Sequence, residues 1–297
     1  MFKLHGVYAP IATPFTGGKI AYDKLEQNLK FWLGSDLEGI VVMGSNGEFV
    51  LLSSEEKEEL TRFVCARAKG KKPVIAGTGA ESTAETIRLG RKAAEAGADA
   101  VLVVTPNYYK GDMTDPVLAR FYTDVADNSP LPVILYNMPR NTGINISAKL
   151  AVELARHPNI IGIKDSGGNI VQIADMIRNA PETFSVFAGS ASFLYASLAL
   201  GATGGTLALA NVFPNECARL QKLFEAGKLT EARELQMTLI DSNNAVTGRW
   251  GIPGLKAAMD MIGLYGGDPR PPLMPLAEAN CEELRKILAK TGFLPKR

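Results

Sequence analysis

Along this chain, short runs of consecutive apolar residues alternate with longer stretches whose apolar positions recur at helical spacing. Val7-Tyr8-Ala9-Pro10-Ile11-Ala12 reads as a first strand and Tyr22 to Leu33 as a first helix. Gly39-Ile40-Val41-Val42-Met43 follows, ending in Gly44-Ser45-Asn46-Gly47-Glu48. Ser53, with Glu56 three residues on, predicts a helix start with a capping box. Pro73-Val74-Ile75-Ala76-Gly77 is the third strand, with Thr83 to Ala96 as the helix behind it, and Ala100-Val101-Leu102-Val103-Val104 is the fourth. Pro132-Val133-Ile134-Leu135-Tyr136, Ile160 to Lys164, Ser185-Val186-Phe187-Ala188-Gly189 and Gly205-Thr206-Leu207-Ala208-Leu209 complete the set. Apolar strands recurring every ~20–35 residues, each with a helix after it, predict a closed parallel (β/α)8 TIM barrel of the α/β class. An open doubly wound sheet is the alternative. Against it, Gly77-Thr78-Gly79-Ala80-Glu81-Ser82 lacks the third glycine of a dinucleotide fingerprint and follows the third strand.

After Asn215 the strands stop, and segments 215–226, 228–246, 252–263 and 277–291 read as helices. The first closes the barrel. The expected organisation is therefore a barrel over residues 1–226 with a helical extension over 227–297, and no linker-like stretch separates the two.

The totals remove several function classes. Lys and Arg number 32 against 31 Asp and Glu, so no basic face argues for nucleic acid or an anionic membrane. No apolar run approaches the ~20 residues of a membrane span. The start, Met1-Phe2-Lys3-Leu4-His5-Gly6, lacks a signal or transit pattern, which makes a cytoplasmic location the expectation. Three scattered cysteines, Cys65, Cys217 and Cys281, read as reduced, buried thiols. His5 and His157 are the only histidines, too few for a zinc-dependent aldolase or hydrolase unless they meet, so no metal and no cofactor is expected.

The sixth apolar run ends abruptly: Ile160-Ile161-Gly162-Ile163-Lys164-Asp165-Ser166-Gly167-Gly168. A lysine at the mouth of an apolar run is costly to hold charged, because desolvation disfavours the ammonium. A neutral amine attacks carbonyls, as a Schiff-base lysine does. The plainer alternative is a strand-end lysine paired with Asp165. In barrels the chemistry sits at the C-terminal ends of the strands. Those ends supply Ser45 and Asn46, Tyr108 and Tyr109, Tyr136, Lys164 and Ser166, and Gly189-Ser190. A phenol beside an amine shuttles the protons that imine formation requires. The Gly44-Ser45-Asn46-Gly47 turn can offer backbone N–H groups and a hydroxyl to a carboxylate. Together they suggest a site for a 2-oxo acid. Each has a structural alternative: an ordinary turn, interface aromatics, a core tyrosine. Gly189-Ser190 and Gly204-Gly205 lie where barrels often bind phosphate, but neither turn carries Lys or Arg. His157 precedes the sixth strand and reads as structural.

The Gly44-Ser45-Asn46-Gly47-Glu48 turn, Tyr136-Asn137-Met138-Pro139 and Gly162-Ile163-Lys164-Asp165-Ser166 resemble the dihydrodipicolinate synthase/N-acetylneuraminate lyase family of Schiff-base aldolases. The resemblance runs from Gly6 into the C-terminal helices. It implies a barrel with a helical extension, a homotetramer built as a dimer of tight dimers, and a lysine imine with pyruvate or a pyruvate-derived substrate. Lys164 matches the Schiff-base lysine and Tyr136 the proton-relaying tyrosine. Ser45 matches the hydroxyl linking that phenol to a second tyrosine, here Tyr108, which the family donates across the dimer interface. Asn46 matches the carboxylate-binding turn, and Ser166 and Gly189 match substrate-pocket positions.

Substrate choice rests on departures from the pattern. The family's synthases carry an arginine for the second substrate's carboxylate where this chain has Asn141, and Arg140 falls one position early. Four runs join Ser45-Asn46 here: Asn107-Tyr108-Tyr109-Lys110-Gly111, Asn141-Thr142-Gly143, Lys164 to Gly168, and Trp250-Gly251-Ile252-Pro253-Gly254-Leu255-Lys256. That combination is most similar to the 4-hydroxy-2-oxoglutarate aldolase branch. The expected activity is cleavage of 4-hydroxy-2-oxoglutarate, or a related 4-hydroxy-2-oxo acid, to pyruvate and an aldehyde such as glyoxylate. The alternatives are 4-hydroxy-tetrahydrodipicolinate synthase, acting on pyruvate and aspartate semialdehyde, a sugar-acid aldolase or dehydratase, and, from another class, a catalytically silent oxo-acid-binding protein.

Overall fold

The computed structural model describes residues 2–294. Met1, on which the reading of the N-terminus began, and residues 295–297 of the expected extension lie outside the described residues. Eight parallel strands close into a barrel: β1 (Gly6–Pro10), β2 (Gly39–Val42), β3 (Val74–Gly77), β4 (Ala100–Val104), β5 (Val133–Asn137), β6 (Ile160–Asp165), β7 (Ser185–Ala188) and β8 (Gly204–Thr206). Each pairs with its sequence neighbours, and β1 joins β8 to β2. Helices α1 (Tyr22–Leu33), α2 (Ser54–Ala68), α3 (Thr83–Ala96), α4 (Asp115–Asn128), α5 (Ala148–Leu154), α6 (Ile170–Asn179), α7 (Leu194–Leu200) and α8 (Pro214–Glu225) follow the strands in turn. The capping box at the start of α2 forms as read, Glu56 N on Ser53 Oγ and Ser53 N on Glu56 Oε2.

The strands are apolar on both faces because both faces are buried, and successive side chains still point opposite ways. Val101, Val103, Val133, Leu135 and Ile163 face the helices. Leu102, Val104, Ile134 and Tyr136 face inward, with Leu4, Tyr8, Val41, Ile75 and Phe187, filling the barrel as a separate core. By the same alternation Lys164, which follows Ile163, is turned to the inside.

Two strand ends differ from the sequence reading by more than one residue. The first strand stops at Pro10 because Asn211 takes over the backbone there: its Nδ2 donates to Pro10 O at 2.9 Å and its Oδ1 accepts from Ala12 N at 3.1 Å. The eighth ends at Thr206, and Ala208–Asn211 turns as a 3-10 helix instead of continuing to Leu209. The two-stranded hairpin Phe15–Thr16 with Lys19–Ile20, too short to show periodicity, has no counterpart in the pattern reading. Cys65 and Cys217 are buried, whereas Cys281 is only half-buried on a surface helix, which corrects the expectation of three buried thiols.

Beyond the barrel, α9 (Leu229–Asn244) packs on α8 and runs into a π-helical turn, Ala245–Arg249, before α10 (Gly251–Met261) and α11 (Glu278–Ala289). Lys256 of α10 anchors this extension at the barrel mouth. Its Nζ donates to Thr13 O at 2.9 Å and Asp268 O at 3.0 Å and lies 2.7 Å from Glu48 Oε1, off the line of an ideal hydrogen bond. Both side chains are buried, and Glu48 Oε2 accepts from Arg270 N at 2.8 Å. No helix among the described residues is long and apolar enough to cross a membrane.

Candidate active site

At the C-terminal ends of β5 and β6, Tyr136 and Lys164 are direct register partners. Alternation turns both inward, and the Lys164 ammonium sits 4.0 Å from the centroid of the Tyr136 ring. Lys164 is 3% exposed and Tyr136 3%. The Tyr136 hydroxyl lies 3.2 Å from Ser45 Oγ, which comes from the turn after β2. Burial pushes the Tyr136 phenol up. The Lys164 charge and hydrogen bonds from Ser45, Lys164 and Ser166 outweigh it and leave the phenol below its ordinary value.

Asp165 does not pair with this lysine. It points to the other side of β6, where its Oδ1 accepts from Gly167 N (2.9 Å) and Gly168 N (3.2 Å). Its Oδ2 accepts from Asn137 Nδ2 (2.7 Å) and Gln172 Nε2 (3.2 Å). Asn137 and Asp165 are themselves register partners, so one layer behind the Tyr136–Lys164 pair a saturated hydrogen-bond network fixes both strand ends. The sequence showed no signal for this network beyond the presence of the two polar residues.

The amine opens into a cavity of about 490 Å³ at the barrel mouth. Ser45, Asn46, Tyr136, Asn141, Lys164, Ser166 and Gly189 all line it, so seven of the eight expected site residues converge. Ser45 and Asn46 open a 3-10 turn, Ser45–Gly47, and their N–H groups, the first of that turn, have no partner within it. Glu48, the left-handed residue closing the turn at φ 56°, is the partner of Lys256, so the buried ion pair holds the turn's far end. Gly189 has no room for a side chain: a Cβ there would run into Ser166 Oγ. A larger hollow, about 610 Å³, lies between α5 and α6 on the outer wall, away from the strand ends.

Tyr108 is the exception. It is 78% exposed, stacked edge-on against Tyr109 with ring centroids 5.1 Å apart, and does not line the cavity. Its backbone is nonetheless fixed, because Glu81 Oε2 accepts from both Asn107 N and Tyr108 N at 2.9 Å. His157, as read, precedes β6 at the opposite end of the barrel, 3.0 Å from Asp127. Among the described residues no three of His, Cys, Asp and Glu gather to hold a metal.

Sequence reasoning missed the wall supplied by the extension. Val246, Thr247, Gly251 and Ile252 line the cavity, as do Arg140, Ser190 and Ser192. The Trp250 to Lys256 run contained part of that signal, but nothing in a helical pattern says which face meets a barrel mouth.

A parallel barrel whose mouth holds a buried amine beside a phenol defines a class: this is a Schiff-base aldolase-type enzyme. The model of the "Dihydrodipicolinate synthetase family" matches residues 3–291, and the chain belongs to that family. The 4-hydroxy-tetrahydrodipicolinate synthase of Geobacter sulfurreducens is 37% identical over 288 residues, covering 97% of this chain and 98% of the relative. That of Syntrophus aciditrophicus is 36% identical over 99% of this chain and 100% of its own length. Among solved structures, the 4-hydroxy-tetrahydrodipicolinate synthase of Methylacidiphilum fumariolicum SolV superposes with a TM-score of 0.93 at 33% identity, covering 98% of this chain and 96% of that one. YagE of E. coli K12, a prophage protein of the same family solved in complex with pyruvate, gives 0.92 at 29% identity, covering 97% and 99%.

Proposed function

We propose that this chain makes or breaks a carbon–carbon bond through an imine between Lys164 and pyruvate or a pyruvate-derived 2-oxo acid. The carboxylate binds the Ser45–Asn46 turn, which sets the C2 ketone over the Lys164 amine. Attack and loss of water leave a protonated imine. The imine withdraws electrons from C3, so an enamine forms there, and it adds to an aldehyde or is left when a C3–C4 bond breaks. Tyr136 takes and returns the protons, relayed through Ser45. The observation carrying this reading is the register pair Tyr136–Lys164 opening into the cavity with Ser45 on the phenol.

Between the specific reactions, the curated relatives' names support 4-hydroxy-tetrahydrodipicolinate synthase, joining pyruvate to aspartate semialdehyde, better than the cleavage of 4-hydroxy-2-oxoglutarate expected from the sequence. One observation favours that cleavage as the second reading: Asn141, not an arginine, lines the cavity where the second substrate's carboxylate is held in the synthases. A cytoplasmic dimer of tight dimers completes the reading. The rigidly mounted, exposed Tyr108 supports it as an aromatic ring that a second copy would cover, although a monomeric variant occurs among the structural neighbours. Borohydride reduction in the presence of pyruvate should add a reduced three-carbon adduct at Lys164; an unmodified lysine would refute the imine. Condensation with aspartate semialdehyde, assayed beside pyruvate release from 4-hydroxy-2-oxoglutarate, separates the two reactions.

A further inference from the structure

Among the described residues, those lining the active-site cavity include two cations, Lys164 and Arg140, and no acid. Once the imine has formed and one carboxylate is held at the Ser45–Asn46 turn, this leaves a cationic wall with no ligand. That wall is built by the helical turn Pro139–Thr142 after β5, which carries Arg140, by the turn after β7 and by the π-helical turn. A π turn widens the helix and brings its backbone outward, and such bulges gather at functional sites. Here it brings the Gly248 carbonyl to Arg140, whose Nη2 donates to it at 2.9 Å. A Cβ at 248 would displace the exposed Asn244 side chain and come within 3.7 Å of Arg140 Nη1, so glycine leaves room for the guanidinium.

Behind the same wall, Asn243 of α9 is 1% exposed. Its Nδ2 donates to Ser190 Oγ at 2.8 Å and to Ser192 Oγ at 2.7 Å. Ser190 Oγ also accepts from Ser192 N at 3.3 Å. A hydroxyl has two acceptor sites and one proton. Both acceptor sites of Ser190 are taken, so its proton is left to donate, and the half-buried Ser190 lines the cavity. Asn243 thereby makes the hydroxyl of Ser190 a committed donor. The opposite amide orientation would strand two buried N–H donors in place of one carbonyl oxygen, at greater cost.

We propose that Ser190, set by Asn243 as a positioning residue, and Arg140, set by the Gly248 carbonyl, form a subsite for a second carboxylate on the substrate. The subsite selects 2-oxo acids or acceptor aldehydes that carry an anionic far end over neutral ones, including sugar-like tails. It rests on the Lys164 imine reading and deepens it: the subsite does the work that the absent arginine at position 141 would do, with Arg140 from the same helical turn and Ser190 from the turn after β7.

The test uses imine trapping rather than turnover, so it does not depend on knowing the aldehyde. 2-Oxoglutarate and 2-oxopentanoate have the same chain length and differ in the terminal carboxylate. Borohydride trapping at Lys164, followed by intact mass against concentration, should show the wild type half-saturating at a concentration roughly tenfold lower for 2-oxoglutarate, the worth of one charge-assisted hydrogen bond. Asn243→Asp exchanges a donor for an acceptor of the same shape, which turns the serine hydroxyls back onto it. That variant and Ser190→Ala should each bring the two concentrations together, and thermal melting reports on the fold separately. A merely structural role for Asn243 would weaken both ligands alike and leave their ratio intact. Equal half-saturation in the wild type, or a ratio preserved in both variants, overturns the subsite. If pyruvate itself fails to trap on the wild type, the imine reading falls first and the subsite with it.

Discussion

Tyr136 and Lys164 face one another as register partners on adjacent strands, the amine 4.0 Å from the ring centroid, so their relative position is set by the ladder and not by a loop. Groups held on strands keep catalytic geometry better than groups on loops. The same ladder pairs Asn137 with Asp165 one residue further on, and their 2.7 Å hydrogen bond locks the two strand ends together on the opposite face.

Lys164→Ala should abolish both turnover and borohydride-dependent adduct formation, because among the described residues no other amine lines the cavity. Mass spectrometry of the reduced protein reads the adduct directly. An adduct retained on the variant would show that a different amine carries the chemistry.

Tyr136→Phe should lower kcat by about 10²–10⁴, the usual worth of an acid–base group, while the adduct still forms more slowly. The phenol's pKa lies below its ordinary value. A phenol acting as base works above its pKa, so the wild-type rate should climb with pH along a limb centred below that value. The limb should vanish in the variant, and a profile that keeps it would assign the limb to another group.

Lys256→Met should cost on the order of 3–5 kcal/mol in denaturant unfolding, because it leaves Glu48 buried without its cation. The double variant Lys256→Met with Glu48→Gln should recover part of that loss. Burial pulls the Lys256 ammonium down, and Glu48 first, then Asp260 and Asp268, oppose that shift. Pyruvate binding should weaken in the single variant, since Glu48 ends the Ser45–Gly47 turn.

Acid should unfold the protein in part through the α2–α3 corner and the mouth. Hydrogen bonds from Arg88 and Ser54 hold Glu85 down to about 2, against burial, and Arg270 holds Glu56 below its usual range. A carboxylate whose folded pKa is depressed contributes stability above its unfolded value, about 4.5, and loses it as pH falls through the folded value. Melting temperature should therefore drop between pH 5 and pH 2, and less steeply in Glu85→Gln. Equal slopes would remove Glu85 from the account.

Tyr108→Phe should slow turnover without changing the melting temperature if a second copy brings this phenol to the site. Light scattering on the wild type reads the assembly, and a fully active monomer would remove Tyr108 from the site.

The eight strands, their helices and the lysine at the sixth strand end were legible from the sequence, because burial on both faces writes strands as unbroken apolar runs and a polar residue ending one stands out. Six of the seven expected residues that line the cavity, Ser45, Asn46, Tyr136, Lys164, Ser166 and Gly189, were legible as strand-end residues, whereas Asn141 came only from the resemblance. Tertiary structure decided the rest. Only the closed ladder sets Tyr136 against Lys164 and sends Asp165 the other way, since alternation has a direction only once inside and outside exist. Only packing brings Asn243, Gly248 and Lys256, some 80–90 residues past the lysine, to the barrel mouth, and helical periodicity names an apolar face without naming what it meets. Tyr108 lies beyond both: its sequence resemblance and its exposure become one fact only in an assembly.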